Sequence, residues 1–210
     1  MADIKDSIFL KNLRGEPCDR TPIWVMRQAG RYLPEYQEVR KQYSFNELCR
    51  TPEAACEVTL QPIRRFGFDA AIMFSDILTP LAPMGASFDF SQGGPKLEKP
   101  VRTEQEIEAL HTYDPEEGTD FVAAAIKLMK EGLGDRTPLI GFAGSPFTLA
   151  TYLIEGGGSK DFANLKAMLY SRPELLDRLM AKLTDQTLAY LSMQVEAGVD
   201  AVQLFDTWGG

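Results

Sequence analysis

The chain has 210 residues, of which 44% are hydrophobic, 25% charged and 10% aromatic, enough apolar material for one large globular domain. Its formal net charge of −8 argues against nucleic acid as a partner, and no run of about 18 apolar residues exists to span a membrane. The mixed-charge start Met1-Ala2-Asp3-Ile4-Lys5-Asp6 has no apolar stretch of the kind a secretory leader needs.

Three cysteines (Cys18, Cys49, Cys56) and a single histidine, His111, show no zinc-type spacing. The expectation is a cytoplasmic protein with free thiols and no metal. Charge is unevenly spread: residues 1–65 carry 11 Lys and Arg against 9 acids, a net of +2, and the other 145 residues carry 11 against 21, a net of −10. A cationic first segment fits an anion site and fits ordinary helix-surface charge equally well.

In chain order, short apolar runs read as strands at Ile23 to Met26, Asp69 to Phe74, Leu139 to Phe142 and Ala201 to Phe205. None alternates, as expected for strands buried on both faces. Helical patterns lie between them. Thr51-Pro52-Glu53 opens one helix, and Thr103-Glu104-Gln105-Glu106 is a capping box. Ser145-Pro146 opens another, which Gly156 closes, and a longer one follows Arg172-Pro173-Glu174 to about Ala197. Gly156-Gly157-Gly158-Ser159-Lys160 follows a helix and lacks the phosphate-loop order, so it reads as a helix stop.

Strands separated by helices imply parallel β/α units, either doubly wound or a (β/α)₈ barrel. No dinucleotide fingerprint follows any strand, and each strand ends in small or polar residues: Arg27 and Gln28, Ser75 and Asp76, Gly144 and Ser145, Asp206 and Thr207. Chemistry at the C-terminal ends of parallel strands is the barrel habit. Four strands where eight are needed, stopping at Trp208-Gly209-Gly210, predict a single α/β domain over residues 1–210 that is only the first half or so of a TIM-type barrel.

Three motifs carry the chemistry. In Met26-Arg27-Gln28-Ala29-Gly30-Arg31, two arginines flank a glycine whose flexibility is expected to let both guanidinium forks aim into one space, each able to grip a carboxylate. In Phe74-Ser75-Asp76-Ile77, a carboxylate between apolar residues at a strand end needs donors from the protein or a ligand. In Gly144-Ser145-Pro146-Phe147-Thr148, a strand turns through glycine into a helix that carries Tyr152 about two turns along.

The runs from Pro22 to Arg40, Pro62 to Leu78 and Pro138 to Ser159, with Gln203-Leu204-Phe205-Asp206-Thr207-Trp208, resemble the uroporphyrinogen decarboxylase family in order and interval. Arg27-Gln28-Ala29-Gly30-Arg31 and Phe142-Ala143-Gly144-Ser145-Pro146-Phe147-Thr148-Leu149 are the most characteristic stretches. The resemblance covers essentially the whole chain and the first part of a family member.

It implies a cofactor-free carboxy-lyase, a homodimer when intact, that removes acetate carboxyls from uroporphyrinogen. Asp76 would accept from the central pyrrole N–H groups, Arg27 and Arg31 would bind substrate carboxylates, and Arg40 would do so more weakly. Gln28, Ala29 and Gly30 join the binding loop, Tyr152 lines the pocket near a reacting arm, Phe205 is a pocket wall and Thr207 a polar contact. The family's later histidine has no counterpart here, and His111 does not match it. Two alternatives remain: an inactive or partner-dependent half barrel, and a zinc- or cobalamin-linked methyltransferase of the same barrel type, whose metal ligands lie late in the chain.

Overall fold

The computed structural model describes residues 3–90 and 94–209. Met1, Ala2 and Gly210, which belong to the two terminal motifs read from the sequence, lie outside the described residues. The fold is mixed α/β with a parallel pair at its centre. Strand β1 (Ala71–Ile72) pairs in parallel with β4 (Leu139–Gly144), Ala71 opposite Leu139 and Ile72 opposite Ile140. Strand β5 (Ala201–Phe205) lies on the other side of β4, giving the order β1-β4-β5. The polypeptide divides into two compact units, and β4, β5 and the long helix α10 (Pro173–Ala197) each run from one unit into the other.

The first unit holds α1 (Ile8–Leu13), α2 (Pro34–Gln42), α3 (Phe45–Arg50), α4 (Pro52–Phe66), β1 and α7 (Asp120–Leu133). As expected from Thr51-Pro52, α4 begins with proline in its first turn, and it ends where Gly67 adopts a left-handed φ of 66°. Helix α3, which the sequence reading did not single out, carries a full capping box of Ser44 with Glu47. Helix α4 lies against α7 at Gly132, where an added Cβ would come within 2.6 Å of Leu60.

Two of the expected strands are corrected. Ile23 to Met26 forms no strand, and Ile23, Val25 and Met26 are exposed. Its ladder position is taken locally: the Ile23 N–H donates to the Asp69 carboxylate at 2.7 Å and the Ile23 C=O accepts from the Asp69 N–H at 2.9 Å. The Asp69 to Phe74 run narrows to the two residues of β1. Strand β5 is found as expected but is not buried on both faces, since Val202 and Leu204 are exposed.

The second unit holds the antiparallel hairpin of β2 (Phe88–Asp89) and β3 (Lys96–Leu97), then α5 (Glu104–Ala109), α6 (Pro115–Gly118), α8 (Pro146–Glu155), α9 (Ala163–Ser171) and most of α10. Its core packs Leu149 and Leu153 of α8 with Leu165, Met168, Leu176, Leu179 and Leu183. The capping box at Thr103 and Glu106 forms as read. Lys182 donates to the carbonyls of Ile107 (2.8 Å) and Leu110 (2.5 Å), closing the end of α5 with a cation at its negative pole. Gly156 ends α8 at a φ of 79°, and a Cβ there would lie 2.8 Å from Pro100. The glycine run is therefore a helix stop.

Helix α10 also carries a buried glutamine, Gln194, inside the first unit. The amide oxygen of Gln194 accepts from the Phe142 N–H at 2.8 Å, and its amide nitrogen donates to the Phe142 carbonyl at 2.9 Å. Gly141 makes this approach possible, because a Cβ there would lie 2.5 Å from the same glutamine oxygen. Gln194→Leu is expected to cost about 1–3 kcal/mol of unfolding free energy, since a leucine neither donates to nor accepts from the Phe142 backbone. Urea unfolding followed by circular dichroism checks this, with the exposed Ser192→Ala expected to stay within about 0.5 kcal/mol.

Candidate active site

The Arg27 loop is shaped by hydrogen bonds rather than by glycine. Gln28 N–H closes a turn on the Val25 C=O at 2.9 Å, and Leu33 N–H closes the next on the Gly30 C=O at 3.0 Å. Gly30 has no left-handed φ, and a Cβ there would meet the Arg27 carbonyl at 3.5 Å and the Tyr32 ring at 3.6 Å, ordinary contacts. The expectation that glycine bends this loop is thus corrected: two backbone turns do so.

Gln28 is buried, accepting from Val25 N–H and donating to the Ala70 C=O, both at 3.2 Å. Its backbone carbonyl accepts from the Tyr32 hydroxyl at 2.5 Å. This ties the loop to the residue before β1. Ala29 is half-buried, while Arg27 and Arg31 are exposed and make no ion pair among the described residues.

Beyond β1 the polypeptide reaches Phe74, Ser75 and Asp76, all half-buried. Tyr36 of α2 is 4% exposed and packs its ring on Phe74 at 5.7 Å between centroids; Phe45 meets Phe74 edge-on at 6.0 Å. Arg40 is half-buried and donates to the Tyr43 C=O.

Two buried acids report the charges around them. Burial pushes the Cys49 thiol far above the ordinary thiol range; the Asp76 carboxylate adds to the rise and the Arg40 guanidinium opposes it. Burial also raises the Tyr36 phenol, against the pull of Arg40 and Arg31. The charges of Arg31 and Arg40 are thus felt at Tyr36, and those of Asp76 and Arg40 at Cys49, within the first unit.

In the second unit, Ser145 caps α8 by accepting from Thr148 N–H at 3.2 Å, and its own N–H donates to the Phe205 C=O at 2.8 Å. The Ser145 hydroxyl donates to the Asp206 carboxylate, and so does Thr148 at 3.0 Å. Asp206 therefore fastens the end of β5 to the start of α8. Tyr152 is half-buried, with its ring 4.4 Å from that of Trp208 and edge-on to Phe88 at 6.2 Å. Phe205 is half-buried and Thr207 exposed. Tyr36, Cys49 and Trp208 were not among the site residues named from the sequence. For Trp208, an aromatic residue two positions past a strand-end aspartate was the available signal. Among the described residues, no group of three or more His, Cys, Asp or Glu is placed to hold a metal ion, and no helix is long and apolar enough to cross a membrane.

A family model described as uroporphyrinogen decarboxylase (URO-D) matches residues 5–210. The chain belongs to the uroporphyrinogen decarboxylase family. It is 54% identical over 212 residues to the uroporphyrinogen decarboxylase of Nitrosococcus oceani, covering 100% of this chain and 59% of that one. It is 55% identical over 202 residues to that of Geobacter metallireducens, covering 96% of this chain and again 59% of the relative. The chain therefore spans about three-fifths of the length of these relatives. A solved methyltransferase from Methanosarcina mazei superposes with a TM-score of 0.78 at 20% identity, over 98% of this chain and 59% of that one, a likeness of fold.

Within this family member, the buried Cys49 offers a direct check on the site's electrostatics. At pH 8 it is expected to react with iodoacetamide at least about ten-fold more slowly in the folded protein than in urea, because a raised thiol pKa leaves less thiolate. Peptide-resolved mass spectrometry reads both rates, and equal rates would show that the thiol is neither buried nor held neutral.

Proposed function

We propose that this chain supplies the substrate-gripping part of a uroporphyrinogen decarboxylase, which converts the four acetate arms of uroporphyrinogen to methyl groups. The proposal takes residues 1–210 as one domain, the first half or so of a TIM-type barrel, acting in the cytoplasm and as a homodimer at full length. The observation that carries it is the family match over residues 5–210, a span that holds Arg27, Arg31, Arg40 and Asp76.

A tetrapyrrole with eight carboxylates needs cations at its rim, and Arg27, Arg31 and Arg40 provide them through charge-assisted hydrogen bonds. Gln28, Ala29 and Gly30 shape the loop that presents the first two. The four central pyrrole N–H groups need an acceptor, and Asp76 provides it. Protonation of the pyrrole carbon adjacent to the one bearing an acetate arm places positive charge on the pyrrole nitrogen. The bond to the carboxyl group then breaks, its electron pair flows through the ring to that nitrogen and CO₂ leaves; uptake of a proton at the exocyclic methylene carbon and loss of the first proton from the ring carbon give the methyl group. A fixed carboxylate at the N–H groups stabilises that cation in the transition state, so the reaction needs no cofactor. Tyr152 and Phe205 would wall the reacting arm, and Thr207 would offer a polar contact.

The decisive comparison is between two strand-end carboxylates, in the protein extended with the C-terminal part of the Nitrosococcus oceani relative. Asp76→Asn is expected to lower turnover about 10²–10³-fold, because the amide still accepts a hydrogen bond but no longer balances a cationic pyrrole. Asp206→Asn keeps an acceptor for Ser145 and Thr148 and should cost less than about ten-fold. Chromatography of the oxidised porphyrin products measures both, and equal losses would assign the wrong carboxylate.

A second reading, that the chain turns over only with a partner segment, is favoured by the exposed Val202 and Leu204 of β5, which ends the sheet order. On this reading the 210-residue polypeptide alone gives no coproporphyrinogen, and adding the C-terminal part of a relative as a separate polypeptide restores it. Turnover by the 210 residues alone, at the rate of the extended protein, would overturn it.

A further inference from the structure

We infer that Thr59 is a positioning residue for Asp76, which it reaches through the backbone of Phe74. The inference rests on the decarboxylase reading above. Thr59 lies in the middle of α4 and is fully buried at 0% exposure. Its hydroxyl donates to the Ala55 C=O one turn back at 2.8 Å, which fixes the hydroxyl's orientation. The freed lone pair then accepts from the Phe74 N–H at 3.0 Å.

That N–H lies just past the last ladder residues. Met73 N–H still donates to the Ile140 C=O at 3.0 Å, whereas at Phe74 the hydroxyl of a helix takes the place of a strand neighbour. Phe74 is further held by the rings of Tyr36 and Phe45. This bond and the two ring contacts hold the backbone at Phe74, two residues before the carboxylate of Asp76. A threonine in a helix interior usually bonds only its own backbone, with no benefit to helix stability. The second bond gives this one a task at the strand end.

A group whose charge answers one that grows in the transition state loses rate when misplaced, by up to about 10²-fold for a shift on the order of 1 Å. Carboxylate binding by Arg27 and Arg31 uses a different loop, so the loss should appear in kcat rather than KM. The test is a graded series in the extended protein: Thr59→Ser keeps a hydroxyl, Thr59→Cys keeps the size with a weak acceptor, and Thr59→Val keeps the shape with none. The expected kcat order is Thr equal to Ser, then Cys, then Val, with Val about ten-fold or more below Thr and KM within about two-fold.

Leu60→Ala, facing α7 on the same helix, supplies a variant destabilised by packing alone and is expected to leave kcat unchanged at a temperature where it stays folded. Should Val not fold, the Ser-to-Cys step carries the test. A flat series beside an inactive Asp76→Asn overturns the positioning role, as does a loss confined to KM or a matching loss in Leu60→Ala. A fully active Asp76→Asn overturns the reading on which it rests.

Discussion

A backbone N–H or C=O that leaves a strand inside a protein still needs a partner, and a missing one costs about 1–3 kcal/mol. In this protein, side chains meet that need at several places in and beside the sheet and in the loops. In the first unit, Gln28 serves Val25 and Ala70, the Asp69 carboxylate serves Ile23, Thr59 serves Phe74 and Gln194 serves Phe142. In the second, Gln186 accepts from Tyr113 N–H at 3.0 Å and donates to its C=O at 3.2 Å. A glutamine amide carries both a donor and an acceptor, so it reproduces both bonds of a neighbouring strand. A hydroxyl already donating along its helix has only acceptance to offer. A strand can thereby stop laddering early and release a functional residue while its backbone stays satisfied.

The same device explains what the sequence did and did not reveal. Helix boundaries were legible because their signals are local: Thr51-Pro52, the Thr103–Glu106 box, Ser145-Pro146 and Gly156 act within one turn of themselves. Strand content was less so. Ile23 to Met26 has the apolar composition of a strand, yet Asp69 of another segment holds Ile23 at both backbone groups, and no periodicity within 23–26 carries that information. The Asp69 to Phe74 run reads as six strand residues, but a threonine fifteen positions earlier ends its ladder after Met73. The apolar run of β5 suggested burial on both faces, whereas burial depends on which elements cover each face.

Site residues divide along a similar line. Arg27, Gln28 and Asp76 were singled out by their place after apolar runs, and Arg40 only by resemblance. Tyr36 and Cys49 gave no signal, because a tyrosine and a cysteine at helical spacing read as core. They are core, being 4% and 7% exposed. Their significance comes from the charges of Arg31, Arg40 and Asp76 around them, which come from α2, the loop before it and the end of β1. Burial that keeps a thiol and a phenol neutral also strengthens every charge beside them, since there is less water to screen it.

Asp76 and Asp206 look alike in the sequence, each standing just past an apolar run that reads as a strand. Their surroundings separate them. Asp206 takes the hydroxyl hydrogens of Ser145 and Thr148 on one oxygen, so two dipoles already point at its charge and offset part of its field. Its contribution is mechanical, holding the end of β5 to the first turn of α8. Asp76 stands instead beside a thiol kept neutral by burial and shares that thiol with the Arg40 guanidinium. Two aspartates at like positions thus stand among different neighbours.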